Sequence, residues 1–147
     1  MIAGFEEVCG TIDPDKFRSL DVGGTTDAAV TRFGDTLSAI EPGGIVAVLS
    51  LNDDMSLGAF AAARTAGRES ELRLAGQGAD PTSWKEIARN PYWLADTAYF
   101  PDTYGSILIP AVVALLDGET IDENLFVEHE VITKDNVREF FPDTPAC

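Results

Sequence analysis

Short apolar runs alternate with helical patterns of apolar residues along most of this chain. Five apolar runs predict strands, at residues 17–22, 45–49, 72–75, 93–100 and 125–132. Apolar residues at helical spacing predict helices between them, over residues 25–40, 54–66, 81–88, 101–116 and 135–140. Strands separated by helices are typical of βαβ crossovers. The pattern therefore predicts an α/β fold, a three-layer αβα arrangement with a mainly parallel sheet.

The corner after the second predicted strand is the most informative local feature. The run 45–49 stops at Asn52-Asp53-Asp54, where a helix pattern starts at once. In an open parallel sheet such a corner lies at the carboxyl end of a strand, where these folds form ligand crevices. Asn52 would present an amide there, which both donates and accepts, and Asp53 or Asp54 would cap the helix. The plain alternative is a strand-to-helix turn with a good cap.

Two further loops follow predicted strands and carry polar or aromatic side chains. The first runs from Gln77 to Asp80, and the second is Tyr99-Phe100-Pro101. Amides and carboxylates hydrogen-bond hydroxyl groups, and a flat aromatic ring covers the apolar face of a sugar. These loop tips together suit a neutral, polyhydroxylated ligand. The alternative for Tyr99 and Phe100 is that both belong to the core.

The net charge of the chain argues against two classes of partner. The chain has 147 residues, with 10 Lys and Arg against 25 Asp and Glu, which gives a formal net charge of −15. Nucleic acids and anionic membranes attract clustered Lys and Arg, so neither is an expected partner. The longest apolar run, 107–116, is too short to span a membrane. Residues 1–7 show neither the basic start nor the apolar middle of a secretory signal.

Catalytic motifs are mostly absent, so an enzyme is disfavoured and no cofactor is expected. There is no phosphate-binding loop with a Lys and no nucleophile elbow. The one histidine, His129, is interpreted as a structural or exposed side chain rather than a general base. Cys9 and Cys147 have no metal-ligand spacing. In so acidic a chain, Asp53 and Asp54 alone do not indicate an acid–base pair.

Three segments give the chain a family resemblance. Residues 50–59, with Asn52-Asp53-Asp54-Met55, resemble the Asn-Asp-x-Met-Ala-Leu-Gly-Ala segment of type I periplasmic sugar-binding proteins, close to the ribose-binding group. Residues 75–81 resemble a subgroup of sugar receptors of ABC transporters, and residues 121–137 resemble the family's carboxyl-terminal strand. The family has two similar α/β lobes joined by a hinge. The chain resembles only the carboxyl-terminal half of that two-lobed arrangement.

The resemblance implies a site. Asn52 matches the family's ligand-binding asparagine, and the aspartate that commonly binds ring hydroxyls would fall at Gly78. Gln77 or Asp80 would take the place of that aspartate. Phe100 falls where ribose-type receptors often carry glutamine, so stacking would replace a polar contact. The expected ligand-binding set is Asn52, Asp53, Gln77, Asp80 and Phe100.

The resemblance also implies partners and an organisation. It implies a solute-binding component that delivers a small-molecule sugar to an ABC permease, located in the periplasm or cell envelope. The alternative is the effector-sensing domain of a lac-repressor-like transcription regulator. Residues 1–100 would form the sugar-binding part, and residues 101–147 would complete the other lobe. Because the helix after Pro101 is apolar around much of its circumference, we expect self-association through that segment.

Overall fold

The computed structural model describes residues 2–145. Six α-helices and four strands follow one another along it. The helices are α1 (Ile2–Cys9), α2 (Thr26–Ser38), α3 (Asp53–Thr65), α4 (Trp84–Arg89), α5 (Tyr104–Leu116) and α6 (Val137–Phe140). The strands are β1 (Val46–Leu49), β2 (Leu72–Gly78), β3 (Trp93–Ala98) and β4 (Glu130–Ile132). Four of the five predicted strands and the five predicted helices therefore have counterparts in the structure.

The four strands form one sheet in the order β1-β2-β3-β4. The first three are parallel: Val48 lies beside Leu74, and Gln77 lies beside Thr97. The predicted α/β class with a mainly parallel sheet is confirmed. The strand predicted at 125–132 is shorter, at 130–132, and it runs antiparallel to β3. The reason is that α5 does not cross the sheet, so the chain re-enters at the edge where β3 ended.

One face of the sheet is buried beneath α3 and α4. Leu72, Leu74 and Trp93 point into this core, where the Trp93 ring stacks on Phe60 of α3 with centroids 5.7 Å apart. Side chains of a strand alternate between faces, so their neighbours point the other way. On that other face Leu94 of β3 is exposed. The apolar packing that holds the sheet therefore lies mainly on the α3 side.

Two predicted strands differ from the prediction in burial or pairing. The run 45–49 was expected to be a buried strand, but β1 alternates between half-buried and exposed residues. The cause is its place at the sheet edge, where it pairs only with β2. The run 17–22 forms no strand, and is extended chain that buries Val22 and packs Leu20 on the core. Burial explains Leu20 and Val22 without strand pairing, whereas Phe17 is 40% exposed.

Helix α2 packs on α3 at close range. Ala29, Phe33 and Leu37 recur on the buried face of α2, and the Thr25 hydroxyl accepts a hydrogen bond from the Ala28 N–H as its N-cap. The contact is closest at Gly58 of α3. A Cβ there would lie 2.5 Å from the Ala29 Cβ and 2.6 Å from the Thr26 carbonyl oxygen. Only a residue without a side chain fits between these two helices.

We therefore expect Gly58→Ala to lower the free energy of unfolding by about 1–3 kcal/mol, because α2 must move away from α3. The matched control is Gly34→Ala on α2, whose Cβ would meet Ala62 at an ordinary 3.8 Å. That control should be neutral or stabilising, since alanine is favoured over glycine within a helix by about 0.5–1 kcal/mol. Urea unfolding followed by circular dichroism measures both. Equal effects of the two substitutions would contradict the close-contact explanation.

Helix α5 stands apart from the rest of the chain. The sequence predicted a helix that is apolar around much of its circumference, and Leu108, Val112 and Leu115 are exposed. No residue of α5 is buried. The helix packs mainly against the single turn that precedes it at residues 101–103. Among residues 2–145, no helix is long and apolar enough to cross a membrane.

Candidate functional site

The carboxyl ends of β1, β2 and β3 lie at one edge of the sheet because the three strands are parallel. This edge carries Asn52 after β1 and Phe100 after β3. Gln77 is the second-last residue of β2 and pairs with β3. The sequence predicted a loop from residue 76, but β2 continues to Gly78. Asp80 follows in the exposed loop to α4. Four of the five predicted site residues are therefore placed along one edge.

Asn52 is the N-cap of α3, a role that the sequence assigned to Asp53 or Asp54. Its Oδ1 accepts the N–H of Met55 at 2.9 Å, and its Nδ2 donates to the Gly24 carbonyl at 3.1 Å. Capping prefers this position because the extended backbone of residue 52 aims the side chain at the free amides of the first turn. The amide retains a second N–H and a second lone pair for a ligand hydroxyl.

Asp53 lies beneath the edge rather than on it. The residue is 1% exposed, and its Oδ2 accepts the Asp80 N–H at 2.5 Å and the Ser83 hydroxyl at 2.8 Å. Its carboxylate therefore holds the loop between β2 and α4 in place. A ligand contact by Asp53 stays a prediction, and in this conformation its side chain acts on the edge through Asp80 and Ser83.

A second buried acid, Asp96 in the middle of β3, was not among the residues that the sequence predicted for the site. Asp96 is fully buried, its Oδ1 accepts the Ala79 N–H at 3.1 Å, and its Oδ2 accepts the Trp93 Nε1–H at 3.3 Å. Burial, together with the neighbouring charge of Asp53, raises the pKa of Asp96 to about 8. Burial also raises the pKa of Asp53. An acid within an otherwise apolar strand was the available signal, since a buried carboxyl requires a partner.

Two glycines of β2 make room for these acids. A Cβ on Gly76 would collide with Oδ2 of Asp96, and one on Gly78 would lie 3.1 Å from Oδ2 of Asp53. Ser56 completes the cluster, since its hydroxyl pairs with that of Ser50 and reaches the Asn52 carbonyl at 3.2 Å. The carboxyls thus pack directly on the strand whose end carries Gln77.

Phe100 packs partly on the core, one of the two roles that the sequence left open, and its contact with a ligand stays a prediction. Its ring is half-buried and packs near Phe140 and Phe141, with centroids 5.9 and 6.2 Å away. The same ring lines an open cleft of about 510 Å³ beside β4. Its backbone is left-handed, with φ of +49°, which turns the chain sharply after β3. One part of the ring is therefore core, while another part faces the cleft.

The histidine and cysteine side chains of the described residues do not form a catalytic or metal-binding cluster. His129 is exposed, with its ring 6.3 Å from that of Tyr99. Cys9 is an exposed free thiol, and Cys147 lies outside the described residues. Within residues 2–145 no group of three or more His, Cys, Asp or Glu side chains is placed to hold a metal ion. The site is thus a set of hydrogen-bonding groups with one aromatic ring.

The chain is similar in sequence and in structure to several known proteins. No family model matches the chain. A protein of Rhizobium meliloti named for rhizopine binding is 32% identical over 96 residues, which cover 64% of this chain and 30% of that protein. An ABC transporter solute-binding protein from Agrobacterium vitis with bound allitol superposes with a TM-score of 0.74 at 29% identity. That match covers 89% of this chain and 45% of the other.

A Caulobacter myo-inositol-binding protein with bound myo-inositol also matches, with a TM-score of 0.64 and 26% identity over 78% of this chain and 39% of that chain. The chain thus spans less than half the length of each of these relatives. The family resemblance found in the sequence is confirmed: the chain has the fold of a type I periplasmic-binding-protein lobe and is similar to ABC sugar-binding periplasmic proteins.

Proposed function

We propose that this chain binds a sugar or another polyol at the edge formed by Asn52, Gln77, Asp80 and Phe100, as part of a solute-binding protein of an ABC importer. The observation that carries the proposal is the alignment of these side chains at the carboxyl ends of parallel strands. In the relatives named above, the bound molecules are allitol and myo-inositol. Both are uncharged and present many hydroxyl groups. The amides of Asn52 and Gln77 and the carboxylate of Asp80 can hydrogen-bond hydroxyl groups, and the Phe100 ring can cover an apolar face of the ligand. No enzymatic step is part of this function.

The chain by itself would supply one side of such a site. Two lobes that close on a ligand contact it from both sides and exclude water, and affinity depends on both. We therefore propose that the isolated chain binds polyols only weakly, with a dissociation constant in the millimolar range or above. Delivery to a permease in the cell envelope would belong to the complete two-lobed protein.

A nitrogen-15 NMR titration of the chain with allitol and with myo-inositol tests the site. We expect amide shifts confined to residues near 52, 77–80 and 100. Asn52→Ala should weaken the interaction by about ten- to a hundredfold, because an unpaired hydroxyl costs roughly 1–3 kcal/mol.

Asn52→Asp is the matched control for the cap, because it keeps an oxygen for the Met55 N–H but removes the Nδ2 donor. Both substitutions should weaken binding if the donor contacts the ligand. Binding that survives in Asn52→Asp and falls only in Asn52→Ala would show that the cap, not ligand contact, explains the residue. Micromolar affinity of the isolated chain would contradict the one-sided site.

A further inference from the structure

The loop between β2 and α4 is held at two consecutive amides by two different carboxyl groups. The Ala79 N–H donates to Asp96, and the Asp80 N–H donates to Asp53. Ala79 has a left-handed backbone with φ of +53°, a conformation that costs an alanine free energy and needs outside support. The loop conformation that presents Asp80 therefore depends on both acids being in place.

These two acids cannot both be charged at low cost. Each is buried, and the negative charge of Asp53 raises the pKa of Asp96. Among the described residues, Oδ1 of Asp53 has no N–H or hydroxyl donor. A proton held by the Asp96 carboxyl supplies that donor and removes the repulsion between two buried charges. One proton held between the two carboxyl groups therefore meets both requirements, the missing hydrogen-bond donor and the removal of one negative charge.

Few other charges act on the pair. Asp80 of the same loop raises the pKa of Asp53 through its negative charge. Glu86 of α4 is paired with Arg64. Arg73 of β2 is half-buried and donates to the Ser70 and Leu72 carbonyls. Other charged side chains on the neighbouring elements are exposed to solvent, among them Asp27 on α2, Asp54 on α3, Lys85 and Arg89 on α4 and Glu130 on β4. The charge state of the pair is therefore set mainly within the pair and by Asp80.

We propose that Asp53 and Asp96 act as a one-proton latch, which holds residues 79–83 at the ligand-facing edge and loosens that loop when the proton is lost to solvent. Both are positioning residues, since they act on a ligand through Asp80 and not by contact. The effect on ligand binding rests on the proposed function, whereas the latch itself does not.

The direction of the pH dependence follows from the raised pKa. Asp96 has a pKa of about 8 in the folded chain, against an ordinary value of 3.8. Between these values the folded chain binds more protons than the unfolded chain, so stability falls as pH rises through this window. The stability contributed by the protonated Asp96 is fully present below the ordinary pKa of an aspartate, and it is lost once pH has risen past the pKa of Asp96 in the folded chain. We expect the loop to loosen on the alkaline side of this window.

Hydrogen exchange at the amides of Ala79 and Asp80, measured on the full chain on either side of pH 8, tests the latch. After correction for the intrinsic rise in exchange with pH, protection should fall with rising pH, by up to about tenfold per pH unit, until about pH 8 and should level off above it. Asp96→Asn should keep protection high and remove the pH dependence, since an amide mimics the protonated acid. Asp54→Asn, an exposed acid on the same helix, is the matched control and should retain the original pH profile.

A flat profile in the unsubstituted chain, or a step that persists in Asp96→Asn, would overturn the latch. An NMR titration with allitol below and above pH 8 then tests the link to binding. Weaker binding above pH 8 in the unsubstituted chain, and not in Asp96→Asn, supports it, whereas equal binding at both pH values contradicts it. Absence of polyol binding at every pH would instead refute the proposed function while the exchange data still decide the latch.

Discussion

Replacing Trp93 with alanine is expected to lower the free energy of unfolding by about 3–5 kcal/mol. Trp93 is 2% exposed, stacks on Phe60 and donates its indole N–H to Asp96. Truncation removes a large apolar surface, leaves a cavity between β3 and α3, and takes a donor from a buried acid. Since domains of this size are stable by about 5–15 kcal/mol, the loss is a large part of the total.

Urea unfolding followed by far-ultraviolet circular dichroism measures the effect. Trp93→Phe should cost much less, because a ring still packs on Phe60 and the loss is limited to the indole donor and part of the ring surface. Leu94→Ala is the control on the same strand: Leu94 is exposed, so its change should stay within about 0.5 kcal/mol. If Trp93→Ala and Leu94→Ala had equal effects, the core would not lie on the α3 side of the sheet.

Self-association through α5 is the second large effect that we expect. Six large apolar side chains of this helix are exposed, namely Leu108, Ile109, Val112, Val113, Leu115 and Leu116. No charged residue occurs between Tyr104 and Leu116, although the chain as a whole carries a net charge of −15. Burial of one such side chain contributes about 1.5–3 kcal/mol, so pairing this surface with another copy is strongly favoured. Sedimentation velocity over a range of concentrations should show dimers or larger species.

The double substitution Ile109→Glu with Val113→Glu places two charges one helical turn apart on the exposed side of α5. We expect it to shift the chain to monomer. The control adds the same two charges to exposed positions of α2, as Thr31→Glu with Ser38→Glu, and should leave association unchanged. A monodisperse monomer of the unsubstituted chain that binds no hydrophobic dye would refute the prediction.

Local signals in the sequence predicted the helices well. Thr25 caps α2, and the spacing of Ala29, Phe33 and Leu37 marks its buried face, as expected. The strand-to-helix corner at Asn52 was also located, because an apolar run followed by capping residues has a short-range meaning. The cap itself was predicted wrongly, at Asp53 or Asp54 instead of Asn52, since Asn and Asp are nearly equal in preference and backbone geometry decides.

The candidate site was predicted in part. Asn52, Gln77 and Phe100 lie at the expected edge, because the carboxyl ends of parallel strands share one side of the sheet. Asp53 was expected beside them but lies beneath the loop. No local pattern links Asp53 to Asp96, because the two acids belong to different elements, α3 and β3, and come together only when the chain folds.

The sequence by itself therefore determined the order and type of most elements, the α/β class and the edge where polar side chains collect. These follow from hydrophobic periodicity, caps and turn residues, which act over a few positions of the chain. The tertiary structure alone decided the antiparallel direction of β4, the exposure of β1 and α5, and the burial of Asp53 and Asp96. Each of these depends on which distant segments come into contact, because pairing, burial and the desolvation of a charge are properties of the neighbours that folding supplies.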